Sequence, residues 1–343
     1  HDPQLDVTTT VPVRRETRSA RYAELSARLL QNATLPKLFA TTLTAGYRYE
    51  RVDPLYRSVA AFVQSDRLQH VFELGGNVGV ISLQVTHGRG SDNLDHLVSV
   101  LATRTRTSTA VVSIPSAGLF RVRHHGELWP LLGYGLNRTH QFGQGVPVNS
   151  DFSATHVPDQ ATVVHDASIG WQGPKWRLQY RYNHSDQDNR QVGRERADLG
   201  GTASVMSLGY AATANVDLGV DASDERQSNH ELSQRTRVRR IGGTVTWRAT
   251  PLTTLTAFAS TSTSSDTPRM NDADNGEMRF ELARGFNLWR DAGGGGTRGQ
   301  LFLRYANQSS TLYQQSFDAA SLPATRTARG TWTLSSGASL RLF

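Results

Sequence analysis

The 343-residue sequence contains no cysteine, and Lys37 and Lys175 are its only lysines. The lack of cysteine excludes a disulfide framework, a thiolate metal site and a cysteine nucleophile. Long apolar runs are also missing: no stretch approaches the ~20 residues that a membrane helix requires. The chain is therefore either soluble or crosses a bilayer as strands. No charged segment followed by an apolar core opens the sequence at His1. The expectation is either a chain whose leader has been removed or a C-terminal part of a longer precursor.

Hydrophobic residues are scarce at 37%, and the mean hydropathy is −0.45. Those values argue against a helical membrane protein but not against a barrel, in which only alternate residues face lipid. A chain of 343 residues would ordinarily suggest more than one soluble domain. A barrel instead spends length on circumference. The net charge is +7, which raises nucleic acid as a partner. The arginines are scattered among acids, however, and no compact basic helix or basic-aromatic motif stands out, so no nucleic-acid partner is expected.

The dominant positive signal has period two. Leu43, Ala45, Tyr47 and Tyr49 alternate with Thr44, Gly46, Arg48 and Glu50. Trp176, Leu178, Tyr180 and Tyr182 alternate with Arg177, Gln179, Arg181 and Asn183. The pattern returns at Val216–Asp221, at Leu301–Ala306 and at Trp332–Leu342. A half-buried soluble sheet also alternates. Two features favour the membrane. Tyr49, Tyr134, Trp171, Trp176, Tyr182, Trp247 and Trp332 stand near the ends of apolar stripes, where aromatic girdles meet headgroups. The opposite phase carries Arg, Asp, Thr and Gly, which suit a wet lumen. The links also alternate in length. Short ones (around 75–80, 172–175, 211–215 and 248–254) intervene between long polar ones at 52–66, 88–99, 141–160, 187–202, 224–236, 263–276 and 308–327.

These signals predict an all-β, antiparallel up-and-down transmembrane barrel occupying 1–343 as a single domain. The expected strands are 6–14, 20–30, 41–51, 66–75, 79–88, 100–114, 130–140, 160–171, 175–186, 203–212, 214–224, 236–248, 252–263, 276–287, 298–308 and 328–342. That is about sixteen strands, with fourteen as the alternative. The segment Ala20 to Leu30 also fits a short amphipathic helix, with Tyr22, Leu25 and Leu29 on one side.

Alternation, girdles and loop asymmetry together resemble bacterial outer-membrane porin-like barrels across nearly the whole chain. The stretch from Tyr47 to Ser58, followed by Gln64-Ser-Asp66, is similar to one in uncharacterised Bacteroidota-type outer-membrane barrels. That resemblance implies an outer-membrane location, contact with outer-membrane lipids, and a setting among other cell-envelope proteins for surface assembly or export; the even count of about sixteen strands is what puts both termini on one side, the periplasm. The terminal Phe343 matches the aromatic end of such barrels, but its phase is opposite to that of Leu342, Leu340 and Ala338.

Taken in phase, the expected lumen residues are Arg48, Glu50, Arg104, Arg106, Asp166, Arg177, Arg181, Asp217, Asp221, Arg279 and Arg304. A ring of arginine selects anions by its field, whereas paired charges merely brace the wall. Asp92, Asn93 and Asp95, and Asp272, Asp274 and Asn275, are clustered oxygen donors without calcium-loop spacing, so no metal or cofactor is expected. His87, His140, His165 and His184 fall on strands, yet no local hydrolase motif accompanies them. Gly293–Gly296 lacks the Lys-Ser/Thr of a phosphate loop and reads as a turn. The leading expectation is a pore or transport barrel with a charged lumen and no catalytic residues. The alternatives are an anchor or subunit of an envelope complex and, behind it, an outer-membrane hydrolase.

Overall fold

The computed structural model describes residues 17–34, 40–56, 65–120, 122, 126–267, 271–290, 296–314 and 325–341. Its strands are β1 (Ala20–Thr34), β2 (Ala40–Val52), β3 (Arg67–Val78), β4 (Ile81–Ser91), β5 (Thr103–Pro115), β6 (Leu131–Gly143), β7 (Asp159–Gln172) and β8 (Trp176–Asn189). They continue with β9 (Leu199–Thr213), β10 (Val216–Asn229), β11 (Gln234–Thr250), β12 (Thr253–Thr267), β13 (Asn271–Arg290), β14 (Gly296–Gln314) and β15 (Thr325–Arg341). All fifteen lie in one sheet in the order of the sequence, each paired with its chain neighbours. Every pairing is antiparallel, as from β1 with β2 to β14 with β15. The architecture is thus an all-β up-and-down meander. No pairing of β1 with β15 occurs among the described residues.

Each of the fifteen expected strands from 20–30 onward has its counterpart. The expected strand 6–14 and the terminal Phe343 lie outside the described residues. The segment from Ala20 is a strand and not a helix, and it pairs with β2 along nearly its whole length. Among the described strands the chain enters β1 at the end of the sheet that carries the long links and leaves β15 at the other end.

At the short-link end, Val78 pairs directly with Ile81. The two-residue turn between them places Gly79 at φ +63°, a left-handed conformation that a side chain would strain. One link at this end is longer: 116–130 carries a single helical turn, Ser116–Leu119, and a 3-10 turn, Gly126–Leu128.

The other end departs from expectation. From 224 onward the polar stretches read as loops are in large part continuations of strands: β10 runs to Asn229, β12 to Thr267, β13 starts at Asn271, and β14 runs to Gln314. The link between β8 and β9 shrinks to 190–198 and that between β10 and β11 to 230–233. Strands of 14 to 20 residues in this half of the sheet exceed the ~9–11 needed to span a bilayer. The surplus projects beyond the apolar part on the long-link side, with its backbone still paired.

Burial is the most informative property of the fold. A compact soluble chain of this mass, 37.7 kDa, would expose about 14,000 Å²; this one exposes 24857 Å². Among the described residues the buried apolar side chains are Val52, Val71, Ala161 and Ala197, while Trp332, Leu334, Ile241 and Leu301 are more than half exposed. Four small side chains cannot form a hydrophobic core that offsets the entropy of ordering such a chain. The apolar surface has to be covered by something other than the chain itself.

Candidate functional site: the two faces of the meander

Register assigns each residue to a face, because directly paired residues of an antiparallel sheet point the same way. One continuous apolar row begins at Tyr47 and passes through Phe72. Leu74 pairs with Val85, Val85 with Ala110, and Ala110 with Leu136. Beyond β6 the row continues with Ile169 opposite Tyr180 and Leu178 opposite Leu208. Leu218 then faces Val245, Trp247 faces Leu255, and Leu255 faces Leu282. It ends where Leu282 meets Leu303 and Tyr305 meets Leu334. No break in phase interrupts this belt from β2 to β15. All seven aromatics at the expected girdle positions share its face. Trp171, Trp176 and Trp247 stand toward the short links, and Tyr49, Tyr182 and Trp332 toward the long ones. From Trp176 to Tyr182 the stripe on β8 is roughly 20 Å long at ~3.3 Å per residue, close to the ~25 Å apolar band of membrane barrels.

The reverse face carries mainly small and polar residues: Thr44, Gly75, Gln84, Val111, Gly135 and Asp166 follow one another across the sheet. Arg48, Glu50, Asp166, Arg177, Arg181, Asp217, Asp221, Arg279 and Arg304 all share this face. Several are paired. Arg181 Nε donates to Asp166 at 2.6 Å, and Arg248 Nη2 to Asp217 at 2.5 Å. Arg279 Nη2 donates to Glu277 at 2.6 Å, and Arg304 Nη2 to Glu281 at 2.7 Å. Arg248 and Glu281 carry the polar phase already in the sequence, and Glu277 is the partner that the sequence reading did not single out. Arg177 lies over Gly209, where a Cβ would come within 2.7 Å of its Nε. The glycine leaves room for a guanidinium flat against the wall.

Arg104 and Arg106 are a correction. Arg106 pairs with Arg89 on β4 and His140 on β6, and it shares the face of Ala110 and Val112. Both arginines therefore lie on the apolar-belt face, beyond the belt toward the long links. The cause is the segment Thr103–Thr109, which is polar in both phases above the belt, so polarity there does not separate the faces.

The oxygen clusters resolve into structural contacts. Asn93 is buried and holds the link after β4: its side-chain amide donates to the Leu97 and Val100 carbonyls at 3.0 and 2.9 Å, and its oxygen accepts from Leu97 N–H at 2.9 Å. Asp92 accepts from the Thr103 amide, and Asp95 pairs with Arg18 at 3.0 Å. Asp272 and Asp274 are strand residues of β13. No group of three or more metal-ligating side chains forms among the described residues. Gly293–295 lies outside them.

The four strand histidines share the apolar-belt face, each with a different partner. His87 Nδ1 meets Ser108 Oγ at 2.9 Å, and His165 Nδ1 meets the Tyr134 hydroxyl at 2.8 Å. His140 and His184 meet Asp159 and Asp186, both at 2.8 Å. The histidine with a serine thus has no carboxylate, and those with a carboxylate have no serine.

At the long-link rim, Asp53 ties the start of β1 to the end of β2. Its carboxylate accepts from the Ser19 hydroxyl at 2.8 Å, the Ser19 amide at 3.0 Å and Arg51 Nε at 3.0 Å. The Ser19 hydrogen bonds, then the Arg51 guanidinium, hold this carboxyl below the ordinary aspartate range. In the link 190–198, the Gly193 amide lowers Glu195 in the same way.

No family model matches the chain, and no curated protein does. Among solved structures, in-vitro folded OmpT, an outer membrane protein of Vibrio cholerae, is similar over 96% of this chain and 99% of its own at 9% identity and a TM-score of 0.36. The loop L8 deletion mutant of that protein is similar over 93% of this chain and 100% of its own, at 8% identity and a TM-score of 0.34. Neither the identity nor the superposition reaches a level from which an activity could be carried over.

Proposed function

We propose that this chain is an outer-membrane barrel whose apolar belt meets lipid and whose polar face lines an ion-conducting pore. The observation that supports the reading is the belt: a single apolar phase held in register from β2 to β15, exposed, and backed by a face of Gly, Ser, Thr and paired charges. A soluble sheet would bury that face against a second layer; water would not tolerate it bare. Strands can cross a bilayer only where every backbone group is paired; the meander pairs β2 to β14 on both sides, and closure of the β1 and β15 edges is part of this reading.

The test is reconstitution of the detergent-purified chain into planar bilayers. Stepwise conductance supports a pore. A chain that inserts but stays electrically silent argues instead for an anchor or subunit of an envelope complex. A monomer stable in water without detergent overturns the membrane reading.

A further inference from the structure

Beyond the belt, toward the long links, the lipid-side face of β4, β5 and β6 carries a cationic array. One rung sets His87, Ser108 and Arg138 side by side, and the next sets Arg89, Arg106 and His140. Arg104 stands two residues further along β5. The rung immediately below, Val85, Ala110 and Leu136, belongs to the apolar belt. The cations therefore begin where hydrocarbon contact ends.

Arg89 and Arg106 are directly opposite, an arrangement that costs stability unless a counter-charge intervenes. Elsewhere on the same face the chain supplies one: Asp224 takes two hydrogen bonds of 2.7 Å from Arg237 and also meets Arg226 at 3.1 Å. On β4 to β6 it does not. Among the described residues Arg89, Arg104, Arg106 and Arg138 are exposed and have no carboxylate partner. The acids nearest on this face, Asp159 and Asp186, are held by His140 and His184. Arg89 Nε donates to His87 Nε2 at 3.2 Å, and Arg106 lies 5.3 Å from the Phe142 ring. These contacts orient the guanidinium groups without neutralising them. On the polar face, by contrast, Arg181, Arg248, Arg279 and Arg304 are each matched to an acid.

We propose that this array binds the phosphate groups of a phosphorylated glycolipid in the leaflet beside the long links. The inference rests on the reading that the apolar belt meets the outer membrane. Guanidinium groups bind phosphate oxygens through paired, charge-assisted hydrogen bonds. A rung spacing of about 7 Å along a strand allows more than one phosphate to be held. At the hydrocarbon boundary, competition from water and salt is weaker than in a free loop.

The experiment uses the full chain in detergent micelles, with diphosphoryl lipid A and its dephosphorylated form as probes, read by native mass spectrometry. Diphosphoryl lipid A is expected to bind at least about tenfold more tightly. The double variant R89Q/R106Q should lose that preference, while R196Q/R235Q, which removes two charges elsewhere, should keep it. Equal binding of both lipids to the wild-type chain overturns the proposal even if no variant folds. So does an undiminished preference in R89Q/R106Q. Flotation with neutral phosphatidylcholine vesicles separates the two ideas. A chain that floats without phosphate preference refutes the array alone, and a chain that does not float refutes the membrane reading beneath it.

Discussion

Arg304 of β14 and Glu281 of β13 are directly paired in register, and their side chains meet at 2.7 Å on the polar face. Both are substantially exposed to solvent, at 47% and 33%, so the pair contributes less than about 1 kcal/mol to stability. Its larger consequence is for the field. Glu281→Gln leaves Arg304 without its counter-charge, and reconstituted channels should shift toward anion preference, with little change in the urea midpoint of folding. Arg304→Gln should shift them the other way. Reversal potentials under a salt gradient measure both.

The face assignment predicts an asymmetry between neighbours on β8. Leu178 pairs with Trp171 and Leu208 on the apolar belt, and Gln179 with Gly170 and Ser207 on the reverse face. Leu178→Arg should cost roughly 2–4 kcal/mol of folding free energy in a bilayer. Gln179→Arg should cost much less. Equal costs, measured by urea titration in liposomes, would invalidate the register.

Strand period and phase were legible because nearly every spanning segment offers one apolar and one polar phase. Leu178 and Arg177 need no structure to be separated. That contrast disappears above the belt. In Asp224–Asn229 and Ser262–Thr267 both phases are polar, so paired strand and solvated loop look alike, and Arg104 and Arg106 lose their reference. Counting in twos from Val112 through Ala110 to Ser108 and Arg106 would have placed them on the correct face. The ion pairs were out of reach for a different reason. Arg181 meets Asp166, and Arg248 meets Asp217, only after register sets which residues of two strands stand near each other.

The corrected strand ends also sharpen the proteolysis expected on intact cells. Trypsin should cut first in the link 190–198, at Arg194 or Arg196, which are exposed and outside any strand. Arg237 and Arg239, in the paired projection of β11, should resist, because cleavage requires the backbone to leave its ladder. Mass mapping of the first fragments decides this. Cuts that appear only after the outer membrane is opened would invert the topology.

The Ser19–Asp53 tie predicts a pH dependence. The folded-state pKa of Asp53 is depressed, so the folded state favours the carboxylate. The resulting stabilisation is fully present above the unfolded value, near about pH 4. It is lost as pH falls through the folded value. The difference in urea midpoint between wild type and Asp53→Asn should be constant at neutral pH and shrink under acid conditions. A difference that persists unchanged at the lowest pH would mean that the amide fails for reasons of packing.

Arg177 and Arg181 differ in a way that decides which of them governs selectivity. Both lie on the polar face of β8. Arg181 is bonded to Asp166 at 2.6 Å, so at any distance greater than their separation the two act as a dipole. Arg177 rests over Gly209, a residue that brings no counter-charge. In the proposed pore its field would act without an ion-paired partner, tempered by Asp221 nearby and by salt over about 8 Å at physiological strength. Arg177→Gln should therefore move the reversal potential toward cations more than Arg181→Gln does. Arg181→Gln removes one charge but exposes another, Asp166, so the double replacement with Asp166→Asn should return close to wild type. Each shift should diminish as salt is raised. If Arg181→Gln alone has the larger effect and the added Asp166→Asn does not reverse it, the pairing does not hold in the conducting state.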